Sequence, residues 1–395
     1  MKLIENRCQD RKNRQFDMLT LEKARQIQQF HQSFPMYSQT PLAHLNDYAN
    51  MTGVKDIYVK DESFRFGLNA FKVLGGSYAI GKYIGQKLGI PESELTYTYL
   101  TDKETKNKLG EMTFISATDG NHGRGVAWTA NRLGQKSVIL MPKGSSKERL
   151  SNIMAEGADA RITELNYDDA VRLAYSMAQA NGWVMVQDTA WEGYEDIPTW
   201  IMQGYMTMAY EAYQQLQGVR PTHIFIQAGV GALAGAVIGF FATLFGENRP
   251  IMTVVEPDEA ACVFETMKAN DGKRHFVTGD MNTIMAGLAC GEPNTVSLEI
   301  LKEYADYFIS CPDYMAAQGM RILGNPLPND DRVISGESGA SSFGAVSEIL
   351  RNPEYESMRK KLGLDEQSVV LFFSTEGDTD KCHYRKVVWD GDYHR

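Results

Sequence analysis

Apolar and polar positions change their spacing several times along this chain, and each change predicts an element. Leu21, Ala24, Ile27 and Phe30 recur at helical spacing within a polar stretch, so residues 1 to about 35 are expected to form an outer helix or an oligomer contact. Tyr37–Leu42 reads as a turn entering a short helix, and Ile57–Lys60 as a strand. A helix is expected from Ser77 to Leu88, closed by Gly89. Thr96–Glu111 is polar and lacks a period, which marks a connection or insertion.

From Met112 onward the pattern is regular. Strands over Met112–Ala117, Ser137–Met141, Ala160–Thr163 and Trp183–Gln187 alternate with helices over Asn121–Leu133, Ser146–Glu156 and Tyr167–Ala180. Such alternation with short links implies a parallel sheet with helices on its faces. A second series begins with a long helix opened by Pro198, followed by strand Thr222–Gln227, a glycine-rich turn, a helix and strand Ile251–Val255. The expected fold class is α/β, with two open parallel-sheet domains: a large one from 1–90 and 200–395, and a small one from 91–199.

Composition narrows the function. A chain of 395 residues with 43% hydrophobic and 23% charged residues has the make-up of a globular protein of about two domains. Its net charge of −10 argues against nucleic acid and anionic membranes as partners, and mildly favours cationic substrates. The five cysteines show no CxxC spacing, so neither a metal site nor a disulfide framework is expected. The first residues carry too much charge for a signal peptide, and the longest apolar run, Ala232–Phe245, is too short to span a bilayer. A cytoplasmic location is expected.

Five stretches carry candidate chemistry. Asn69–Ser77 holds one lysine, Lys72, among apolar and small residues. Such a lysine either packs its stem beneath a solvated amine or keeps the amine from water, where burial makes it a nucleophile suited to a Schiff base. Gly229-Val230-Gly231-Ala232-Leu233 joins a strand to a helix, so bare N–H groups and the helix dipole meet there, as an anion such as phosphate requires. The same loop fits G-x-G-x-x-A, with Glu256 at the end of the next strand as a ribose ligand, so a dinucleotide site is a rival reading.

Thr118-Asp119-Gly120-Asn121-His122 ends a strand and opens a helix, where Thr118 and Asn121 suit a carboxylate or a ring hydroxyl and Asp119 is either a helix cap or a functional acid. His122 reads as a packed helix residue. Asp188 and Thr189 close a further strand, at the sheet edge where ligands sit in α/β folds. Ser374 and Thr375 follow Phe372–Phe373 before a turn.

Together these motifs resemble the fold-type II pyridoxal-phosphate enzymes, the group of serine/threonine dehydratases and the tryptophan synthase β chain. The shared order is a Phe-Lys motif, an S/T-x-G-N-H loop, a glycine-rich loop and a late serine, and it covers nearly the whole chain. Thr118–Trp128, Asp188–Tyr194, Ala286–Pro293, Ser335–Ala340 and Ser374–Asp380 further resemble the branch that cleaves 2,3-diaminopropionate to pyruvate and two ammonia. Ordinary dehydratases carry a small residue where this chain has Asp119.

The resemblance implies that pyridoxal 5'-phosphate is the cofactor, held on Lys72 with its phosphate on Gly229–Leu233. It also implies that Asn121 meets the ring hydroxyl and Ser374 or Thr375 the pyridine nitrogen. It makes Lys72 and Asp119 the two bases, one on each face, and places Asp188, Thr118, Gly120 and Thr189 around the substrate. A homodimer is expected. Cys262 and Cys290, beside the Glu256 and Gly287 turns, are candidates for a contact or disulfide near the site mouth. A serine/threonine dehydratase, a nicotinamide oxidoreductase and a cofactor-free binding protein for a cationic amino acid are the competing readings.

Overall fold

The computed structural model describes residues 1–8, 16–118 and 120–395. Within them the strands are β1 (Lys2–Glu5), β2 (Leu42–His44), β3 (Asp56–Asp61), β4 (Thr113–Ala117), β5 (Lys136–Met141), β6 (Asp159–Ile162), β7 (Val184–Met185), β8 (His223–Gln227), β9 (Ile251–Pro257), β10 (Tyr307–Cys311) and β11 (Val369–Ser374). They form a seven-stranded sheet, β1-β10-β9-β8-β11-β3-β2, and a four-stranded sheet, β6-β5-β4-β7. The small sheet is parallel throughout, and the large one is parallel except at its edges, where β1 and β2 pair antiparallel. Helices cover both faces, so β8 and β11 are buried along their whole length, and β11 reads as an apolar run from Val369 to Phe373.

The β-α alternation appears where the periodicity places it. Three segments depart from expectation. The N-terminus is not all helical: Lys2–Glu5 adds an edge strand to β10, and the helix starts only at Leu21. Residues 42–44 form β2 before the short helix Asn46–Thr52 begins. Thr96–Glu111 holds two short helices, Tyr97–Thr101 and Lys103–Leu109, each started by a side-chain cap from Thr96 or Asp102. Caps can start helices this short without an amphipathic stripe, so hydrophobic spacing does not reveal them.

Two features hold the lysine stretch in place. Ala70 bridges Glu376 in an antiparallel pair, Phe71 N–H donates to Thr375 O at 3.0 Å, and Gly377 N–H donates to Asn69 O at 3.0 Å. Lys72 therefore lies alongside the continuation of β11, and helix Val73–Leu88 starts immediately after it. That helix packs on Asp196–Gln215 at very close range. A Cβ on Gly204 would collide with Leu74 O, and one on Gly75 would lie 2.6 Å from Tyr205 Cε1.

The charged run before the lysine is buried, contrary to its appearance. Lys60, Glu62, Arg65 and Glu211 are fully enclosed. Arg65 reaches Glu62 at 2.8 Å and Glu211 at 2.7 Å, and Lys60 reaches Glu211 at 2.7 Å. Two cations face two anions. Burial pushes the Glu211 carboxyl up, but the Arg65 and Lys60 charges outweigh it and hold the pKa at about 2. The stability from that charge is present above the ordinary glutamate range and lost as pH falls through about 2. Removing one partner strands a buried charge, so Glu211→Gln is expected to cost about 3–5 kcal/mol in denaturant unfolding. A loss under 1 kcal/mol would show that the network adds little.

Candidate active site

The carboxyl ends of strands from both sheets open on one cavity of about 840 Å³. Its walls come from Ala117 and Thr118 after β4, Pro142–Ser146 after β5, Asp188 after β7 and Asp313 after β10. A narrower chamber adjoins it, lined by Phe71, Asn121, Tyr205, Gln227, Gly229–Leu233, Thr375 and Glu376. Lys72, Asp188, Gly287 and Cys290 line both spaces.

Lys72 is not surrounded by apolar groups. Its Nζ donates to Asp188 Oδ2 at 2.7 Å, with the two side chains 17% and 6% exposed. Burial alone would raise the Asp188 pKa, but the charges of Lys72 and His122 and the hydrogen bond from Lys72 lower it to about 2. Asp188 is thus a carboxylate at every working pH. The stability its pairing contributes is present above the ordinary aspartate range and is lost as pH falls through about 2. Asp188 Oδ1 also receives Tyr167 Oη at 3.5 Å, and its backbone oxygen accepts from Asn294 Nδ2 at 3.0 Å.

The glycine loop has the form of an anion cradle. Gly231 sits at φ 101° at the head of helix Ala232–Phe245, a conformation that favours glycine. Gly229 lies under the 286–290 turn, where a Cβ would come within 3.2 Å of Cys290 Sγ and Leu288 Cα. Glu256, the rival ribose ligand, is turned inward. It accepts from Val263 N–H at 2.9 Å and Phe264 N–H at 2.6 Å, and burial pushes its pKa up to about 8. It caps helix Cys262–Ala269, so the dinucleotide reading loses its acid.

Most of the expected site residues converge. Lys72, Asn121, Gly229–Leu233 and Thr375 share the chamber, and Thr118 and Asp188 face the cavity. Asp119 lies outside the described residues. Thr118 uses its hydroxyl within the loop, accepting from Gly120 N–H at 3.0 Å and Gly123 N–H at 3.1 Å. Gly120 lines neither space. Thr189 is turned into a separate cavity beside Trp191 and Tyr175, because successive side chains of an extended segment point to opposite sides.

Ser374 likewise faces away from the chamber: its hydroxyl donates to Ser335 Oγ at 2.8 Å, while Thr375 Oγ1 accepts from Gln227 Nε2 at 2.9 Å inside it. His122 is buried, with Nε2 2.8 Å from Val186 O. No disulfide joins Cys262 and Cys290, and Cys262 Sγ reaches Gly229 O at 3.6 Å.

Four chamber residues escape single-residue reasoning. Glu376 accepts from Asn121 Nδ2 and from Ser338 N–H, Ser338 accepts from Gly287 N–H, and Gln227 and Tyr205 complete the wall. Glu376 and Ser338 do stand in the late motifs Ser374–Asp380 and Ser335–Ala340, which is the available signal. Gln227 and Tyr205 read only as strand and helix residues.

A lysine amine, an anion cradle, and an amide and a hydroxyl between them form a chamber that fits pyridoxal phosphate. A sequence model described as "Pyridoxal-phosphate dependent enzyme" matches residues 34–374. The chain belongs to this family, with the fold-type II architecture. Within it, the chain is similar to the diaminopropionate ammonia-lyase of Salmonella typhimurium strain LT2, 53% identical over 366 residues that cover 92% of this chain and 91% of the relative.

Two structures of diaminopropionate ammonia-lyase from Escherichia coli are also similar. The selenomethionine holo form superposes with a TM-score of 0.93 at 49% identity, covering 99% of this chain and 97% of that one. A complex with D-serine gives 0.93 at 48% identity, with the same coverage.

Proposed function

We infer that this chain is a pyridoxal-phosphate-dependent carbon–nitrogen lyase. It eliminates ammonia from 2,3-diaminopropionate, of D or L configuration, and with one water yields pyruvate and two ammonia. The observation that carries this reading is the Lys72–Asp188 pair, 2.7 Å apart, where the substrate-sized cavity meets the glycine-lined chamber.

The proposed holders of the cofactor are Lys72 through its amine, Gly229–Leu233 at the phosphate, Asn121 at the ring hydroxyl and Thr375 at the pyridine nitrogen. Thr375 is preferred to Ser374 because it lines the chamber. Bound there, pyridoxal phosphate supplies an electron sink for charge developing at the substrate α-carbon. Lys72, as a neutral amine, takes the α-proton from one face, and Asp119 takes it from the other.

Asp188 faces the second amine of the substrate. As a carboxylate it holds that group as an ammonium, so when the β C–N bond breaks its electron pair goes to nitrogen and the group leaves directly as neutral ammonia. Thr118 and Gly120 shape the substrate loop, the Thr118 hydroxyl accepting from Gly120 N–H, and Thr189 is the sequence neighbour of Asp188 at the substrate. A neutral Thr375 hydroxyl does not enforce protonation of the pyridine nitrogen, which favours elimination over transamination.

The same reading takes the two sheets as the cores of two domains, 1–90 with 200–395 and 91–199. It also takes the protein as a cytoplasmic homodimer without nucleic-acid or membrane partners. No helix among the described residues is long and apolar enough to cross a membrane. Initial rates of pyruvate release from D- and L-2,3-diaminopropionate and from D- and L-serine test the substrate. At least tenfold higher kcat/KM for the diamine is expected, since serine lacks the ammonium that Asp188 faces. Equal values for serine would make the chain a dehydratase.

A further inference from the structure

The long helix Asp196–Gln215 supplies one polar atom to the chamber that the reading above does not use. Tyr205 is 1% exposed, its side chain lines the chamber beside Lys72 and the glycine loop, and its hydroxyl is fully buried without a hydrogen-bond partner. Its ring is fixed on two sides: Phe71 packs against it with centroids 4.6 Å apart, and Gly75 leaves room for Cε1 but for no side chain. Gly204, with no Cβ to collide with Leu74 O, lets the two helices pack at this separation. Swinging the ring to bring the hydroxyl to another partner would break its packing on Phe71.

A buried, unpaired hydroxyl costs about 1–3 kcal/mol. A phenylalanine would fill the same space without that cost. The tyrosine is therefore best explained by a partner that arrives in the chamber. Burial pushes its pKa upward, so the group is a protonated donor at any working pH. The bound cofactor, with its phosphate and ring oxygen, brings acceptors into the space that Tyr205 lines.

We propose that the Tyr205 hydroxyl donates a hydrogen bond to bound pyridoxal phosphate, making helix 196–215 a part of the cofactor site alongside the loops. The proposal rests on the reading of the chamber as the cofactor site.

Tyr205→Phe tests it through binding and stability rather than turnover. Apoprotein prepared with hydroxylamine would be titrated with pyridoxal phosphate, following absorbance and melting temperature. Wild type and variant are expected to melt alike as apoproteins, or the variant slightly higher, because the variant has lost an unpaired hydroxyl. The variant should bind pyridoxal phosphate roughly tenfold more weakly, and its melting temperature should rise less at a fixed cofactor concentration. An unchanged dissociation constant and an unchanged rise would overturn the assignment. So would an apoprotein destabilised as much as the holoprotein, which would mark a packing role. Wild-type apoprotein that takes up no pyridoxal phosphate would overturn the cofactor reading itself.

Discussion

Lys72→Ala is expected to lower kcat on 2,3-diaminopropionate by at least about 10⁴-fold, because in the proposed function that one substitution removes both the covalent holder of the cofactor and a base. The visible absorbance that borohydride bleaches in the wild type should disappear with it. The change also leaves Asp188 buried without the cation 2.7 Å away, so some stability should be lost as well. Lys72→Arg separates these effects. It restores a cation for Asp188 and should recover stability, yet a guanidinium that stays protonated cannot act as nucleophile or base. An arginine variant with near wild-type turnover would remove Lys72 from the chemistry.

The second large effect is stereochemical. Asp119→Asn is expected to abolish turnover of one enantiomer of 2,3-diaminopropionate and to spare the other within about tenfold, since general-base removal costs about 10²–10⁴-fold only where that base is used. Its sequence neighbour Thr118 lines the cavity and Asn121 the chamber, and Lys72 lines both. Separate progress curves on the D and L substrates decide the matter. Equal losses on both would show that Asp119 serves loop structure or substrate binding common to the two.

These expectations combine two kinds of information. The alternation from Met112 to Gln187 was legible because each amphipathic helix and buried strand must repeat its own period to bury one face. The glycine loop and Lys72 were legible because their chemistry depends on residues adjacent in sequence. Thr189 and Ser374 stand outside the cavity and the chamber for the complementary reason. Each stands next to a residue that does face the site, and one step along an extended chain reverses the side chain.

The charged run at Lys60–Glu62 shows the same limit in energetic form. In the fold it is enclosed, because Arg65 and Glu211, 146 positions apart, balance the charge. Short helices within Thr96–Glu111 escaped notice because caps, not hydrophobic spacing, start them.

The sequence by itself determined the α/β class and the local make-up of the lysine stretch, the glycine-rich loop and the strand ends that carry Asp119 and Asp188. Those are local properties, set by the period of burial and by groups a few residues apart. The tertiary structure decided which groups meet: Lys72 with Asp188, Asn121 with Glu376, Thr375 rather than Ser374 in the chamber, and Tyr205 behind the lysine. It did so because pairing of β11 with the lysine stretch and close helix contact at Gly75 and Gly204 juxtapose residues more than a hundred positions apart. No pattern along the chain encodes the direction in which those side chains point.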